Sequence, residues 1–267
     1  MKINLNIERK QRYLIQSVLS SVFVLVVAQK YISLAFWQVA VMALGLVISG
    51  SVVSHYPNIN RKNFLISTLM PLGVLSGALL SLHFFPNLGL VFKIIVITFF
   101  GLIYYLVLLA DNIFLVVHDR EEVIPLYRVA VTWSQILQVV VAIPLFAGIF
   151  KIGTTSFLQS FIISVIAFLF TYYQLRIYQF DADVKRTGVG EELYLCFTSF
   201  FFIFSTSFAV SFFPGEAFLR ALFAASVLLF LLSYISGYLK NEITRKMVIG
   251  YFVIMLVFLA FLLVFVP

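Results

Sequence analysis

The chain has 267 residues, of which 63% are hydrophobic and 11% charged. A soluble domain carries about 25% charged residues and could not hide this much apolar surface, so a soluble fold is excluded. The net charge of +7 would point to nucleic acid in a soluble protein. In so apolar a chain it reflects Lys and Arg gathered on one side of a membrane, and no nucleic-acid partner is expected.

A hydrocarbon core about 30 Å thick needs roughly 20 apolar helical residues. Nine stretches reach that length. In chain order they are Arg12 to Gln29, Ser33 to Ser54, Asn63 to Phe85, Leu88 to beyond Leu109, and Ile124 to Phe150. Thr155 to Tyr178, Gly190 to Phe213, Gly215 to Leu239 and Thr244 to Val266 follow. Pro57, Pro86-Asn87, Pro125, Gly153, Gly188 and Pro214-Gly215 mark the joints. The expected fold is therefore all-α: a polytopic bundle of about nine transmembrane helices. No polar stretch is long enough for a soluble module, so residues 1–267 read as a single integral membrane domain in contact with lipid. The loops are short, which makes consecutive helices antiparallel neighbours.

The basic residues orient the bundle. Lys2, Arg9, Lys10, Arg12, Arg61, Lys62, Arg120, Arg128, Arg176, Lys185, Arg186, Lys240, Arg245 and Lys246 fall on one side, and Lys30, Lys93, Lys151 and Arg220 on the other. Fourteen against four of the 18 puts the N-terminus in the cytoplasm and the C-terminus, after nine crossings, outside. Residues 1–28 also have the basic start, apolar run and Val26-Val27-Ala28 that a signal peptidase accepts. Because a second span follows almost at once, we read them as a retained helix.

Charge pairs are expected at the helix ends. Asp111 and Arg128 lie eight residues either side of a turn at Asp119-Arg120. Each is then about 12 Å from it, and the two meet at one depth. Arg176 and Glu191 stand in the same relation across loop 6–7. Glu216 and Arg220 are spaced i, i+4 at the start of helix 8, as an ion pair requires. No Asp, Glu, Lys, Arg or His falls near the middle of any predicted helix, which removes the usual equipment of ion-coupled pumps. The most polar mid-helix stretch is Thr132-Trp133-Ser134-Gln135-Ile136-Leu137-Gln138. Gln135 and Gln138 share one face there, suited to interhelical hydrogen bonds or to a polar solute site. Pro71 and Pro144 lie inside helices 3 and 5, where proline kinks. Small-residue seams are expected at Gly73/Gly77, at Gly45/Ser49 with Gly50/Ser54, and along Ala221, Ala225, Ser233 and Gly237.

Motifs for chemistry are lacking. There is no phosphate loop, HExxH, CxxC or nucleophile elbow. The lone Cys196 reads as a packing residue, and His55, His83 and His118 are too dispersed for one metal site. No catalytic residue, metal or cofactor is expected. The layout resembles that of membrane aromatic prenyltransferases, with nine helices and acidic residues, Asp181 and Asp183, in loop 6–7. Those enzymes hold Mg²⁺-diphosphate between two Asp-rich cytoplasmic motifs. Here loop 2–3 reads His55-Tyr56-Pro57-Asn58-Ile59-Asn60-Arg61-Lys62 with no acid, and a hard cation wants several carboxylate oxygens. Asn112-Ile113-Phe114-Leu115-Val116, followed by Ile124-Pro125-Leu126-Tyr127-Arg128-Val129-Ala130, resembles a hairpin signature in a family of multi-pass membrane proteins of small-genome, candidate-phylum bacteria. That resemblance implies a bacterial inner-membrane protein and carries no catalytic residues. The expected function is a structural or partner-binding membrane component, working with another membrane protein or a second copy. A carrier for a neutral or lipophilic solute is the alternative, and a degenerate prenyltransferase-like or lipid-modifying enzyme the third.

Two experiments check these expectations. Topology reporters fused after Asn60, Glu122, Arg186 and Asn241 should report cytoplasm, and fusions after Lys30, Asn87, Lys151 and Pro267 the outside. Two adjacent loops on one side would refute nine crossings. Asp111→Asn and Arg128→Gln should each lower stability in detergent, and the double variant should recover part of the loss. Strict additivity in that cycle would mean that the two do not interact.

Overall fold

The computed structural model describes residues 8–29, 35–59, 63–84, 89–120, 125–179 and 184–265. Among these residues there are nine helices and no strand: α1 (Arg9–Ala28), α2 (Phe36–His55), α3 (Phe64–Phe84), α4 (Leu90–Arg120), α5 (Pro125–Lys151), α6 (Ser156–Tyr178), α7 (Val189–Ser211), α8 (Ala217–Leu239) and α9 (Arg245–Val264). All nine contain a stretch long and apolar enough to cross a membrane. The protein is thus a multi-pass membrane protein of the all-α class. The helix ends fall close to where hydropathy places them. The longest helix is α4, with 31 residues, about 46 Å at 1.5 Å per residue. It outruns the hydrocarbon core.

A single membrane domain is the expectation, and the helices cluster as two compact units, Met1–Arg120 and Glu121–Pro267. Each unit closes on itself. In the first, α1 packs against α2, α3 and α4, and α3 packs against α2 and α4. In the second, α5 packs against α6 and α8, α6 and α7 run along each other, and α8 also meets α7 and α9. Within either unit the fourth helix returns to the first. The pattern is a four-helix ring of short-looped, antiparallel neighbours, with α9 added to the second ring.

In the first unit the core is built from Tyr13, Met70, Leu75, Tyr104, Leu108 and Phe114, all buried. Pro71 sits inside α3, and the helix runs through it. Proline has no N–H, so the Ser67 carbonyl four residues earlier loses its helical donor. Ser51 of α2 replaces it, its hydroxyl donating to the Ser67 oxygen at 2.8 Å. Gln16 of α1 makes a similar cross-link, its amide donating to the Leu46 carbonyl at 3.0 Å and to the Tyr104 hydroxyl at 3.4 Å. The approach needs Gly50, since a Cβ there would overlap the Gln16 amide. Of the two small-residue pairs on α2, Gly50/Ser54 is therefore the packed seam, while Gly45 and Ser49 face outward. Because α1 supplies Tyr13, Gln16, Ser17, Ser20 and Val24 to this core, removing residues 1–28 would open the ring.

In the second unit α8 is the central helix, with 61% of its span buried. Its small-residue stripe Ala221, Ala225, Ser233 and Gly237 is buried as expected. A Cβ at Gly237 would come within 2.7 Å of Met247 Cε on α9, so the glycine sets how closely α9 approaches. The seam between α6 and α7 is aromatic, with edge-on pairs Phe157–Phe204, Phe161–Phe200 and Phe168–Phe197 at 5.3–5.8 Å between centroids. Helix ends are tied by side chains. The buried Tyr127 hydroxyl donates to the Ile177 carbonyl at 2.5 Å in the last turn of α6. Gln159 donates to the Ile152 carbonyl at 2.6 Å just beyond α5. Each carbonyl also accepts a backbone N–H, from Gln179 and Thr154 respectively, so the side chains add a second donor at these ends. By contrast, α9 has only 6% of its span buried, and Leu262 is its one buried residue.

Candidate functional site

The polar face of α5 is the first candidate. Its two glutamines turn into the second unit, while Trp133 stays 56% exposed. Gln135 donates to the Tyr178 hydroxyl of α6 and the Leu232 carbonyl of α8, both at 3.3 Å. The Tyr178 hydroxyl also bonds Ser236 of α8. Gln138 is fully buried and donates to the Gln174 carboxamide oxygen of α6. One amide group from each α5 glutamine therefore joins α5 to its neighbours. The remaining amide atoms, Gln138 Oε1 and Gln174 Nε2, are buried without a protein partner, as is the nearby-turn hydroxyl of Thr171.

The second candidate is the basic end of the second unit, where loop 6–7 meets the ends of α6 and α8. Glu191 and Glu192 occupy the first turn of α7, where the helix dipole favours negative charge. Glu192 is 3% exposed and receives Arg176 at 3.5 Å, Gln179, and the Thr187 hydroxyl at 3.4 Å. Arg176 is oriented by the Tyr172 hydroxyl at 2.9 Å and Gln179 at 3.2 Å. Glu191 takes a different cation, the Lys185 ammonium at 2.7 Å, and also accepts from the Tyr238 hydroxyl of α8 at 2.8 Å. The Tyr238 hydroxyl in turn accepts from Lys185 at 3.0 Å. Hydrogen bonding to Glu191 is the main cause that raises the Lys185 ammonium to about 12. The Lys185 backbone N–H donates to the Leu239 carbonyl at 2.9 Å, fastening the loop to the end of α8.

The expected pairs fare differently. Arg176 meets Glu192 rather than Glu191. The two acids are adjacent on α7 and one residue step of a helix separates their directions by about 100°, which symmetry about a loop does not resolve. Glu216 and Arg220 form no ion pair. Their backbones bond as a helical turn, and the Arg220 guanidinium donates instead to the Phe213 carbonyl at 2.7 Å. That carbonyl also accepts the Gly215 N–H at 2.9 Å across the Phe213-Pro214-Gly215 joint, and Arg220 adds a second donor. Asp111 is fully buried in α4 of the first unit. Arg128 lies on the exposed side of α5 in the second. Asp181 and Asp183 lie outside the described residues, as do Arg61 and Lys62. Among the described residues no group of three His, Cys, Asp or Glu side chains could hold a metal.

The first unit contains a cluster that hydropathy alone did not single out. Tyr13 and His55 bury their rings together, centroids 5.5 Å apart. His55 Nδ1 faces the Ser51 carbonyl at 3.1 Å, so that nitrogen carries the proton in the neutral ring. Arg12 donates to the Tyr56 carbonyl at 3.2 Å, and Arg9 to Asn58 at 3.3 Å. These bonds hold the segment after α2 against α1. The available signal was the spacing Arg9, Arg12, Tyr13, Gln16: a polar stripe at i, i+3, i+4, i+7 on the face of α1.

Glu192 and Glu191 separate by burial. Glu192→Gln should lower stability in detergent by about 1–3 kcal/mol, because it discharges the acceptor of a charge-assisted, nearly buried network. Glu191→Gln, 29% exposed, should cost less. Thermal unfolding of both variants checks the order, and an equal or reversed loss would contradict it.

Comparison with protein-family models, with curated proteins and with solved structures returned no match to this chain.

Proposed function

We propose that this protein is a non-enzymatic structural or partner-binding component of a bacterial cytoplasmic membrane, with its N-terminus inside. One observation carries the reading: Gln135 and Gln138, the most polar mid-helix pair, are engaged with Tyr178, Leu232 and Gln174 of neighbouring helices. Such bonds glue helices together in a medium that offers no other partner. The buried polar groups of the second unit then serve cohesion, and recognition falls to the outer surfaces, through another membrane protein or a second copy. The absence of an acidic motif in loop 2–3 counts against the diphosphate chemistry of the prenyltransferase layout.

A carrier for a neutral solute is the second reading. It is favoured by the buried amide atoms Gln138 Oε1 and Gln174 Nε2, which lack protein partners. A polar solute or a water file would satisfy them.

Cysteines at positions 135 and 138, in a Cys196→Ser background, separate the two. A membrane-impermeant thiol reagent reacts only where water allows a thiolate. The structural reading expects no labelling from either side, and a loss of about 0.5–2 kcal/mol for Gln→Leu at each position. Clear labelling would overturn it and promote the carrier.

A further inference from the structure

We propose that the basic end of the second unit docks the headgroups of anionic phospholipids, through Arg186, Lys240, Arg245 and Lys246. All four side chains are exposed. The fold brings them together. The Lys185 N–H bond to the Leu239 carbonyl lays Arg186 beside the end of α8, and Lys240 follows directly. Asn241, at φ 55°, and the bond from the Glu242 N–H to the Gly237 carbonyl at 2.9 Å then reverse the chain. The reversal starts α9 at Arg245 and Lys246, next to the same corner.

Among the described residues of this corner, cations outnumber acids. Glu191 is occupied by Lys185 and Glu192 by Arg176. Lys240 sits over the Tyr178 ring at 5.7 Å, a contact that attracts the ammonium but brings no opposite charge to it. Glu242 is the remaining acid in this corner among the described residues. The first turn of α9 has two cations and no acid, although the positive end of the helix dipole lies there. The contrast with α7, whose first turn carries Glu191 and Glu192, is direct: α7 supplies its own anions and α9 does not.

The identity of the occupant follows from α9 itself. With 6% of its span buried and Ile249, Phe252, Val253, Leu256 and Val257 exposed, its face is open to acyl chains. A lipid packed along α9 carries its headgroup at the level of Arg245 and Lys246. An anionic headgroup complements the cluster, with a gain of roughly fivefold in affinity for each cation near the membrane surface.

The full chain, purified in a neutral detergent, is offered phosphatidylglycerol and phosphatidylcholine in equal amounts, and bound lipid is counted by native mass spectrometry. The proposal expects preferential retention of phosphatidylglycerol. The triple variant Arg186→Gln, Arg245→Gln, Lys246→Gln should lower that preference by roughly a hundredfold, and Lys246→Gln alone, the milder change, by roughly fivefold. Lys93→Gln, in the first unit, should leave it unchanged. Equal retention of the two lipids would overturn the proposal, as would an undiminished preference in both cationic variants. Displacement of phosphatidylglycerol by millimolar inorganic phosphate would also overturn it, and would assign the corner to a soluble anion instead.

Discussion

In hydrocarbon, backbone amides and carbonyls must find their partners inside the protein, because no water is there to take the place of a missing bond. Much of this structure is organised around that constraint. It imposes helices, and it then dictates what happens wherever a helix is interrupted or ends. Pro71 removes a donor inside α3, and a serine from α2 supplies another. At the end of α6 the Tyr127 hydroxyl adds a donor to the Ile177 carbonyl. Gln159 adds a donor to the Ile152 carbonyl beyond α5, and Arg220 one to the Phe213 carbonyl at the joint before α8. In each case the side-chain bond to a backbone carbonyl also links two segments, so the polar backbone becomes a source of cohesion between them.

Side-chain amides extend the logic. Gln16 in the first unit and Gln135 in the second each donate from the first helix of a four-helix ring to a carbonyl on another helix. Individual bonds of this kind are modest in membranes, about 0.6 kcal/mol on average. Their larger effect is on register, since a glutamine can reach a given carbonyl at only one rotation of its helix. Small residues provide the access. Gly50 admits Gln16, and Gly237 admits α9. Packing density and polar pairing are in this way set by the same positions.

The charged residues follow a different rule. A charge near lipid is costly alone and far less so when paired, and the ends of the helices carry nearly all of them. Glu192 shows the buried version, with three donors around a carboxylate that is almost withdrawn from solvent. Lys185, Glu191 and Tyr238 show the exposed version, a triangle of hydrogen bonds on the surface. Glu191 and Glu192 are thus satisfied locally, and among the described residues the cations at the turn into α9 have no such acid beside them in the helix.

Hydropathy alone was enough to determine the class, the nine helices and their approximate ends. Length and transfer energy act on each segment separately, and no tertiary knowledge is needed to apply them. The polar face of Gln135 and Gln138 was legible for the same reason, from spacing on one helix. Partner choice was not. The sequence placed Arg176 opposite Glu191 and Glu216 beside Arg220, whereas the fold matched Arg176 with Glu192 and gave Arg220 a backbone carbonyl. Helix rotation decides those contacts, and rotation is set by how neighbouring surfaces pack. The gathering of the helices into two closed units had the same origin. An apolar helix in lipid gains no hydrophobic energy by choosing one neighbour over another. Steric fit at glycines and the reach of a few polar side chains made that choice, and both exist only once the helices are side by side.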